Sequence, residues 1–337
     1  METTKAEEYV MINKDPDAGT KYDFPRDSVG YGEQGLKCDW PGKKKIALSF
    51  VLNYEEGGER SLSLGDECPE WYMYTSCRDG PSIARDYDVE TEYDYGSRCG
   101  VWRMIRLFKK HNLKLTAYAV GKAFECNPEA AKAFVRDGHE IASHAYRWIP
   151  YDDLSPEKEK GLILKQIDTL QKTTGLKTFG WYMGRLSAHS IALIVETYRE
   201  LGLPLPYISD NYADDVPYWT DVPQEKSLPD SEKKGLLYVP YNLDCNDYRF
   251  LRPCGWRSEE DYYQHLVNSF DVLYGEGGKI MTVGLHCRIM GKPGYNRALE
   301  RFIEYVEKKP DVWICTRSQI ADWFKAKYPY KPGHKAD

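Results

Sequence analysis

The sequence lacks the features of several large classes of protein. No run approaches the ~20 consecutive apolar residues that a membrane-spanning helix needs, and residues 1–20 have neither the basic nor the apolar region of a secretory signal. The chain carries 46 basic and 52 acidic residues, a formal net charge of −6, which gives no attraction for nucleic acid or for an anionic membrane. We therefore expect a cytoplasmic protein that binds neither.

Common metal-binding and nucleotide-binding motifs are also missing. The nine cysteines are scattered, with no CxxC pair and no zinc-ribbon spacing, and we interpret them as reduced thiols. No GxGxxG, Walker loop or internal repeat occurs. Aromatic residues, by contrast, are abundant: 27 tyrosines and 9 tryptophans indicate a lined pocket, a large interface or an aromatic core.

After residue 20, apolar strand-like runs alternate with helical patterns. KIALSFVLNY (45–54) places apolar side chains on one face, VWRMIRLFKKHN (101–112) has helical spacing, and LKLTAYAV (113–120) is strand-like again. The alternation gives about eight strands. It predicts an α/β protein whose parallel sheet closes into a distorted TIM-like (β/α)7–8 barrel, with an open doubly wound sheet as the alternative.

The remaining elements and the domain limits follow from the same pattern. Further strands are predicted at 139–145, 179–184, 205–210, 236–243, 279–286 and 312–316. Further helices are predicted at 127–138, 155–175, 191–202, about 259–274, about 296–308 and from 318. We expect a flexible N-terminal arm (1–20), one catalytic barrel domain (21–330) and a polar tail (331–337). Long loops at about 57–95 and 211–235 are predicted to cover the active site or an interface.

Polar side chains follow the predicted strand ends. In a barrel of this type the chemistry lies at the C-terminal ends of the strands. The residues found there are Asn53, Glu55, Glu56, His139, His144, Arg147, Trp148, Tyr182, Arg185, Asp210, Asp214, Asp215, Asp244, Asn246, Asp247, His286 and Arg288. The sequence therefore predicts an active site at this end of the barrel.

Two adjacent glutamates, Glu55 and Glu56, follow the first strand. Strand alternation puts Asn53 and Glu55 on one face and Glu56 on the other, so one carboxylate can point into the mouth of the barrel. Two neighbouring carboxylates also raise one pKa, which suits a general base. The alternative is a solvated turn with surface acids.

His286 ends the strand-like run KIMTVGLH (279–286). A histidine with an ordinary pKa of ~6.5 can hold and donate a proton near neutral pH, so this residue is a candidate general acid. The alternative is a structural histidine that binds a loop carbonyl.

Eight stretches carry a family likeness in one consistent order. They are YDFPRDSVGYG (22–32), FVLNYEEGGE (50–59), YDYGSRCGVWR (93–103), GHEIASHAYRWI (138–149), GWYMGR (180–185), SDNYADDVPYW (209–219), VPYNLDCNDYRF (239–250) and VGLHCRIMGKPG (283–294). Together they resemble the polysaccharide deacetylase (NodB-homology) superfamily, specifically its metal-independent allantoinase-like branch. The resemblance implies a distorted barrel and hydrolysis of a C–N bond in an amide, imide or ureide.

The metal-dependent members of this family use an aspartate base and an Asp-His-His triad with H-x-x-x-H spacing. Here that spacing runs from His144 to Trp148, and an indole offers no lone pair to a cation. We therefore predict no cofactor and catalysis by Glu55 or Glu56 with His286, Glu55 being preferred. If a metal were bound, Glu55 or Glu56 with His144 would hold it, and the alternative function is a zinc-dependent N-deacetylase of an acetylated sugar or amine.

The resemblance leads us to expect ring opening of a small cyclic ureide, imide or lactam. The expected substrate-binding residues are Asn53, Tyr95, His144, Arg147, Trp148, Tyr182, Arg185, Asp215, Trp219, Asn246 and Asp247. It also implies a homo-oligomer, a tetramer. A third alternative is a catalytically silent barrel used for binding.

Several residues depart from the branch pattern. Met183 replaces a threonine, Ala145 replaces a glycine, Asp94 replaces a glutamate, and 186–189 replaces a Ser-Pro-Asn-Thr run. From these we expect a substrate larger or more apolar than allantoin.

Overall fold

The computed structural model describes residues 15–71, 83–252 and 255–333. Most of the predicted arm (1–14), the last four residues of the predicted tail, Cys77 and Cys254 lie outside these ranges. The seven other cysteines are free thiols. None of the described helices is both long enough and apolar enough to cross a membrane.

Strands and helices alternate through most of the described chain. The strands are β1 Ile46–Tyr54, β2 Thr116–Ala119, β3 Glu140–Ser143, β4 Tyr218–Thr220, β5 Leu236–Tyr238, β6 Lys279–His286 and β7 Val312–Ile314. The helices are α1 Tyr87–Tyr95, α2 Val101–Lys110, α3 Gly121–Cys126, α4 Pro128–Arg136, α5 Pro156–Thr174, α6 Ser190–Glu200, α7 Glu259–Glu276, α8 Cys287–Met290, α9 Pro293–Val306 and α10 Arg317–Lys327. A π-helical turn, Gly96–Gly100, joins α1 to α2.

Strand β1 lies at the centre of a parallel sheet. It pairs with β6 on one side, and with β2 and β7 on the other, while β3 pairs with β2. In this register Asn53 lies opposite His286 and Tyr54 opposite Ala119. All nine residues of β1 are buried, as expected for a strand covered on both faces. The sheet therefore brings the polar residues that follow β1 and β6 to one edge.

Single parallel bridges continue the arrangement beyond β3. They join Ser143 to Trp181, Trp181 to Ile208, and Ile208 to Tyr238, and a further bridge from Asn246 to Gly284 returns to β6. This is the α/β, parallel, barrel-type fold that the alternating pattern predicts, and the returning bridge favours it over the open doubly wound sheet.

The predictions of full strands at 179–184 and 205–210 were wrong, because each segment joins the sheet through a single residue, Trp181 or Ile208, with one bridge to each neighbour. The chain around Ile208 contains Pro204 and Pro206, which cannot donate a ladder hydrogen bond. At Gly180 the backbone lies so close to the Tyr207 ring that any Cβ would clash with it. The two prolines and the close approach at Gly180 thus go with short strand pairing in segments where the apolar pattern predicted full strands.

The two predicted long loops contain regular structure and need correction. The segment 57–95 includes α1, whose N-cap Asp86 accepts hydrogen bonds from the backbone of Asp88 and Val89. The segment 211–235 includes β4, which pairs antiparallel with β5. Neither element was predicted, because α1 has a weakly amphipathic sequence and β4 has only three residues.

Candidate active site

A small cavity of about 100 Å³ opens at the C-terminal ends of β1 and β6. Its lining residues are Asn53, Glu55, His144, Trp148, Tyr182, Gly184, Arg185, Tyr212, Leu243, Asn246, Tyr248 and His286. Eight of these belong to the predicted set. The pocket lies at the end of the barrel where the family's chemistry is expected.

The Glu55 carboxylate is the centre of the pocket floor and is 1% exposed. Its Oε1 atom lies 3.1 Å from His144 Nε2 and 3.4 Å from His286 Nε2, and its Oε2 atom lies 2.8 Å from Arg288 Nη2. Burial alone would raise the pKa of Glu55, but the charges of Arg288 and His286 and the histidine hydrogen bonds hold this pKa well below its ordinary value. Glu55 is therefore an anion at neutral pH.

Glu56 points away from the cavity, as strand alternation predicts. Its Oε2 accepts a hydrogen bond from the Glu55 backbone N–H at 3.0 Å, and its Oε1 accepts one from the Arg288 backbone at 3.2 Å. Burial raises the pKa of Glu56, and the charge of Glu55 adds to this effect. The raised pKa thus belongs to the glutamate that points away from the cavity, and the pKa of Glu55, the preferred candidate base, is lowered.

His286 is held by a carboxylate on the side away from Glu55. Its Nδ1 lies 2.6 Å from Asp247 Oδ1, and its backbone N–H donates to Asp247 Oδ2 at 2.8 Å. Burial would lower the pKa of His286, but the carboxylates of Glu55 and Asp247 raise it to about 9. At neutral pH the ring is therefore an imidazolium whose Nε2–H faces the pocket.

His144 approaches Glu55 from β3. Its Nδ1 donates to the Tyr182 carbonyl at 2.9 Å, because a carbonyl can only accept. Its Nε2 atom lies 3.1 Å from Glu55 Oε1. The His144 ring is therefore held between the Tyr182 carbonyl and the Glu55 carboxylate.

One wall of the pocket is an indole stacked on a guanidinium. The Arg185 guanidinium lies 3.7 Å from the Trp148 ring centroid and also donates to the Trp148 carbonyl at 3.1 Å. Arg185 makes a bidentate pair with the buried Glu70 carboxylate, at 2.8 and 3.1 Å. This pair fixes the flat face that Trp148 and Arg185 present to the cavity.

Five predicted substrate-binding residues do not line the pocket: Tyr95, Arg147, Asp215, Trp219 and Asp247. Tyr95 bonds the Gly291 carbonyl, and Arg147 ties down the backbone of Gly58 and Glu59. Asp215 and Trp219 lie near the other end of the barrel. The Asp215 carbonyl accepts from Ile280 at the start of β6, and the Trp219 indole donates to the Tyr328 carbonyl. Asp215 and Trp219 were misplaced, because sequence order after a strand does not fix which end of the barrel a long connection reaches. The Tyr95 and Arg147 side chains instead bond backbone carbonyls beside the pocket.

Asp247 is buried behind His286 and does not itself line the cavity, so we place it as a positioning residue. Four further residues line the pocket that were not predicted from the sequence: Gly184, Tyr212, Leu243 and Tyr248. All four lie within the family-like stretches quoted above, which was the available signal. The Tyr212 hydroxyl lies 3.3 Å from the Tyr182 hydroxyl and forms part of the rim.

None of the residues that depart from the branch pattern, Asp94, Ala145, Met183 and 186–189, lines the described pocket. Met183 is buried in an apolar cluster that also contains Ala145, Trp181 and Leu193, and Asp94 is exposed. Ala145 has a φ of 62°, a left-handed conformation that explains why glycine is the usual residue there. The inference of a larger or more apolar substrate from these positions therefore loses its basis.

The residues present do not fit the zinc site of the metal-dependent members. Trp148 supplies no lone pair, and the guanidinium of Arg288 already pairs with the Glu55 carboxylate and would repel a dication. Across the described ranges, the one group of three acidic, cysteine or histidine ligand atoms within 4.8 Å of one another is Asp244, Cys245 and His265, none of which lines the pocket. Burial raises the pKa of the Cys245 thiol, which disfavours the thiolate that binds metal.

Comparisons with known proteins identify the family of this chain. A family model described as Polysaccharide deacetylase matches residues 85–204. A Schizosaccharomyces pombe protein named "Putative polysaccharide deacetylase" is 43% identical over 311 residues, which cover 89% of this chain and 97% of that protein. The chain belongs to the polysaccharide deacetylase family. It is a deacetylase-family hydrolase, as the quoted stretches predict.

Two solved structures of this family are similar over nearly the whole chain. One is described as a "probable Polysaccharide deacetylase" from Pseudomonas aeruginosa PAO1, with a TM-score of 0.84 and 42% identity, covering 91% of this chain and all of that one. The other is a PuuE allantoinase, also with a TM-score of 0.84 and 42% identity, covering 92% of this chain and all of that one. At 42% identity the likeness concerns the sequence as well as the fold. The two similar proteins carry different names, one a probable deacetylase and the other an allantoinase.

Proposed function

We propose that the protein opens the ring of a small cyclic ureide, imide or lactam by acid–base catalysis without a metal ion. The observation that carries the proposal is the Glu55 carboxylate, which lies between the Nε2 atoms of His144 and His286 inside a small pocket. The likeness to a PuuE allantoinase, at 42% identity, supports the same class of substrate.

In the proposed reaction Glu55 is the general base. Its carboxylate removes a proton from a water molecule as the water oxygen bonds to a ring carbonyl carbon. The C–N bond then breaks, and the nitrogen takes the Nε2 proton of His286, which is charged because its pKa is about 9. The proton on Glu55 returns to His286 Nε2 across 3.4 Å, and both groups regain their starting state.

A ring is a better target than a plain acetamide for such a site. Without a Lewis acid, the carbonyl must be reactive by strain or by weak amide resonance. The cavity of about 100 Å³ suits a compact molecule, and the stacked face of Trp148 and Arg185 suits a planar one.

The testing experiment measures hydrolysis of allantoin, other cyclic ureides, cyclic imides and an N-acetyl amino sugar after treatment with a strong chelator. We expect turnover of a ring compound, and we expect Glu55→Gln to lower kcat/KM by about 10²- to 10⁴-fold. Glu56→Gln is the matched control, with the same change one residue away. We expect it to retain turnover within about tenfold, because Glu56 points away from the cavity and its carboxylate accepts from the backbone N–H groups of Glu55 and Arg288.

The alternative is a metal-dependent N-deacetylase of an acetylated sugar or amine, which the family model and the name of the yeast relative favour. Activity on the N-acetyl sugar that is lost on chelation and restored by zinc would replace our proposal with this one. A silent binding barrel would instead give no turnover of any compound, with ligand binding unchanged in Glu55→Gln.

We also propose that the protein forms a homotetramer. Trp71, Ile83 and Tyr87 are 53%, 90% and 65% exposed, and large exposed apolar side chains are typical of an interface. Light scattering during size-exclusion chromatography would test this, and a mass of one chain, 39.0 kDa, would contradict it.

A further inference from the structure

The side chain of Asn53 has one hydrogen-bonding atom that nothing in the described chain satisfies. Asn53 lines the pocket and is 1% exposed, and its Oδ1 atom is buried without a hydrogen-bond partner among the described residues. A buried carbonyl left unpaired is costly, and most such groups in native proteins meet a protein group, an ordered water or a ligand.

The orientation of this amide is fixed by its neighbours. Its Nδ2 donates to the Leu285 carbonyl at 3.1 Å, and a carbonyl can only accept, so the nitrogen must face that way. The second Nδ2 hydrogen goes to the Tyr241 hydroxyl at 2.9 Å. Both donors are therefore used, and Asn53 offers the pocket one acceptor and no donor.

Asn246 is the other amide in the pocket and provides a contrast. Its Nδ2 donates to the same Tyr241 hydroxyl at 3.0 Å, but its Oδ1 already accepts from the Tyr248 backbone N–H at 3.0 Å. Two asparagines therefore share one hydroxyl, and only Asn53 keeps an open acceptor.

Asn53 also stands beside the reacting groups. It lies opposite His286 in the β1–β6 register and two residues before Glu55 on the same face of β1. A ligand that reaches both Glu55 and His286 therefore lies next to Asn53, which also lines the pocket.

From these contacts we propose that Asn53 selects substrates that carry an unsubstituted ring N–H, which donates to its Oδ1 atom. The substrate class is then an N–H ureide, imide or lactam, and rings whose corresponding nitrogen is alkylated are excluded. This inference rests on the proposed function and narrows it. The N–H group satisfies the buried acceptor, whereas an N-methyl group leaves it unpaired and adds bulk beside it.

The test compares allantoin with each of its singly N-methylated derivatives, on wild type, Asn53→Ala and Asn246→Ala. In wild type, methylation of one nitrogen should lower kcat/KM by roughly 10- to 100-fold. In Asn53→Ala the same methylation should cost less than about threefold, because the acceptor is gone and the space is larger. Asn246→Ala is the matched control, and its methylation penalty should equal that of wild type.

The comparison within each variant separates recognition from any general loss of activity. If Asn53→Ala does not fold, as circular dichroism would show, Asn53→Leu keeps the bulk without the acceptor and takes its place. An unchanged methylation penalty in the Asn53 variant, for every derivative, overturns the inference while leaving the proposed function intact.

Calorimetric binding of the same compounds separates this inference from the proposed function. Suppose that wild type binds the ring compounds, that N-methylation weakens this binding, and that Asn53→Ala removes the effect of methylation. If wild type nevertheless opens no ring, the role of Asn53 is supported and the proposed reaction is rejected. If wild type neither binds nor hydrolyses any ring compound, both the role of Asn53 and the proposed function are overturned.

Discussion

The contact between Asp247 and His286 predicts where the activity of this protein should fail at high pH. Nδ1 of His286 lies 2.6 Å from Asp247 Oδ1, and no part of Asp247 is exposed. We propose to change Asp247 to asparagine, which keeps the size of the side chain and removes its charge. His286, the proposed general acid, would then lose one of the two carboxylates that raise its pKa.

The magnitude follows from the pKa of His286, which rises from 6.5 to about 9 in spite of burial. This difference corresponds to on the order of 3 kcal/mol of added preference for the imidazolium. An opposite charge in direct contact accounts for about 1 to 2 pH units of such a shift. We therefore expect the basic limb of kcat/KM to lie near pH 9 in wild type and about 1 to 2 units lower in Asp247→Asn.

The same shift has a consequence for stability. Because the folded pKa of His286 lies above its ordinary value of 6.5, its proton stabilises the native state fully below pH 6.5. This contribution is lost as the pH rises through about 9. In Asp247→Asn the loss should begin at lower pH, in step with the basic limb.

The assay is the pH dependence of kcat/KM on a ring substrate that wild type opens, because this quantity reports groups of the free enzyme. Asp244→Asn is the control: it makes the same change three residues away, where the carboxylate faces His265 and not His286. A basic limb that stays within about 0.3 pH units of wild type in Asp247→Asn would refute the assignment of His286 as the acid.

Two further predictions concern the neighbours of these groups. Arg288→Gln removes the cation that holds down the pKa of Glu55, so the acid limb of kcat/KM should move up by about 1 pH unit or more, measured on the same substrate. Gly284→Ala would drive a Cβ into the side chain of Asn246, and we expect a loss of about 1 to 3 kcal/mol of unfolding free energy in urea. Gly294→Ala, where a Cβ meets no atom within 4 Å, is the control and should not destabilise the protein. A cost shared by both glycine variants would contradict the second prediction.

The strands with strong apolar periodicity were predictable. Residues 279–286 form β6 with the predicted bounds, and the helix predicted at 155–175 runs from Pro156 to Thr174, between the capping Ser155 and Gly175. Segments whose geometry depends on a distant partner were not: Trp181 and Ile208 join the barrel through single bridges. Tertiary packing decides such cases, and one-dimensional periodicity carries no information on it.

The pocket was predictable to the extent that strand ends determine it. Asn53, Glu55 and His286 lie together because parallel pairing aligns the ends of β1 and β6. Asp215 and Trp219 were misplaced because a long connection returns to the opposite end of the barrel. Strand alternation predicted that Glu55 and Glu56 point to opposite faces. It could not predict the pKa of either glutamate, because both pKa values depend on Arg288, which lies 232 residues after Glu56 in the sequence.

That arginine explains how a hydrolase of this family could work without a metal. A catalytic zinc ion supplies positive charge and an activated water. Here two positive groups, the Arg288 guanidinium and the His286 imidazolium, lie within 3.4 Å of the Glu55 carboxylate. They can stabilise negative charge that develops nearby, but they also make Glu55 a weaker base than an isolated carboxylate. Such a site activates an ordinary acetamide only weakly. Without a metal ion to polarise the carbonyl, the carbonyl of the substrate must itself be reactive, and for this reason we propose a cyclic substrate.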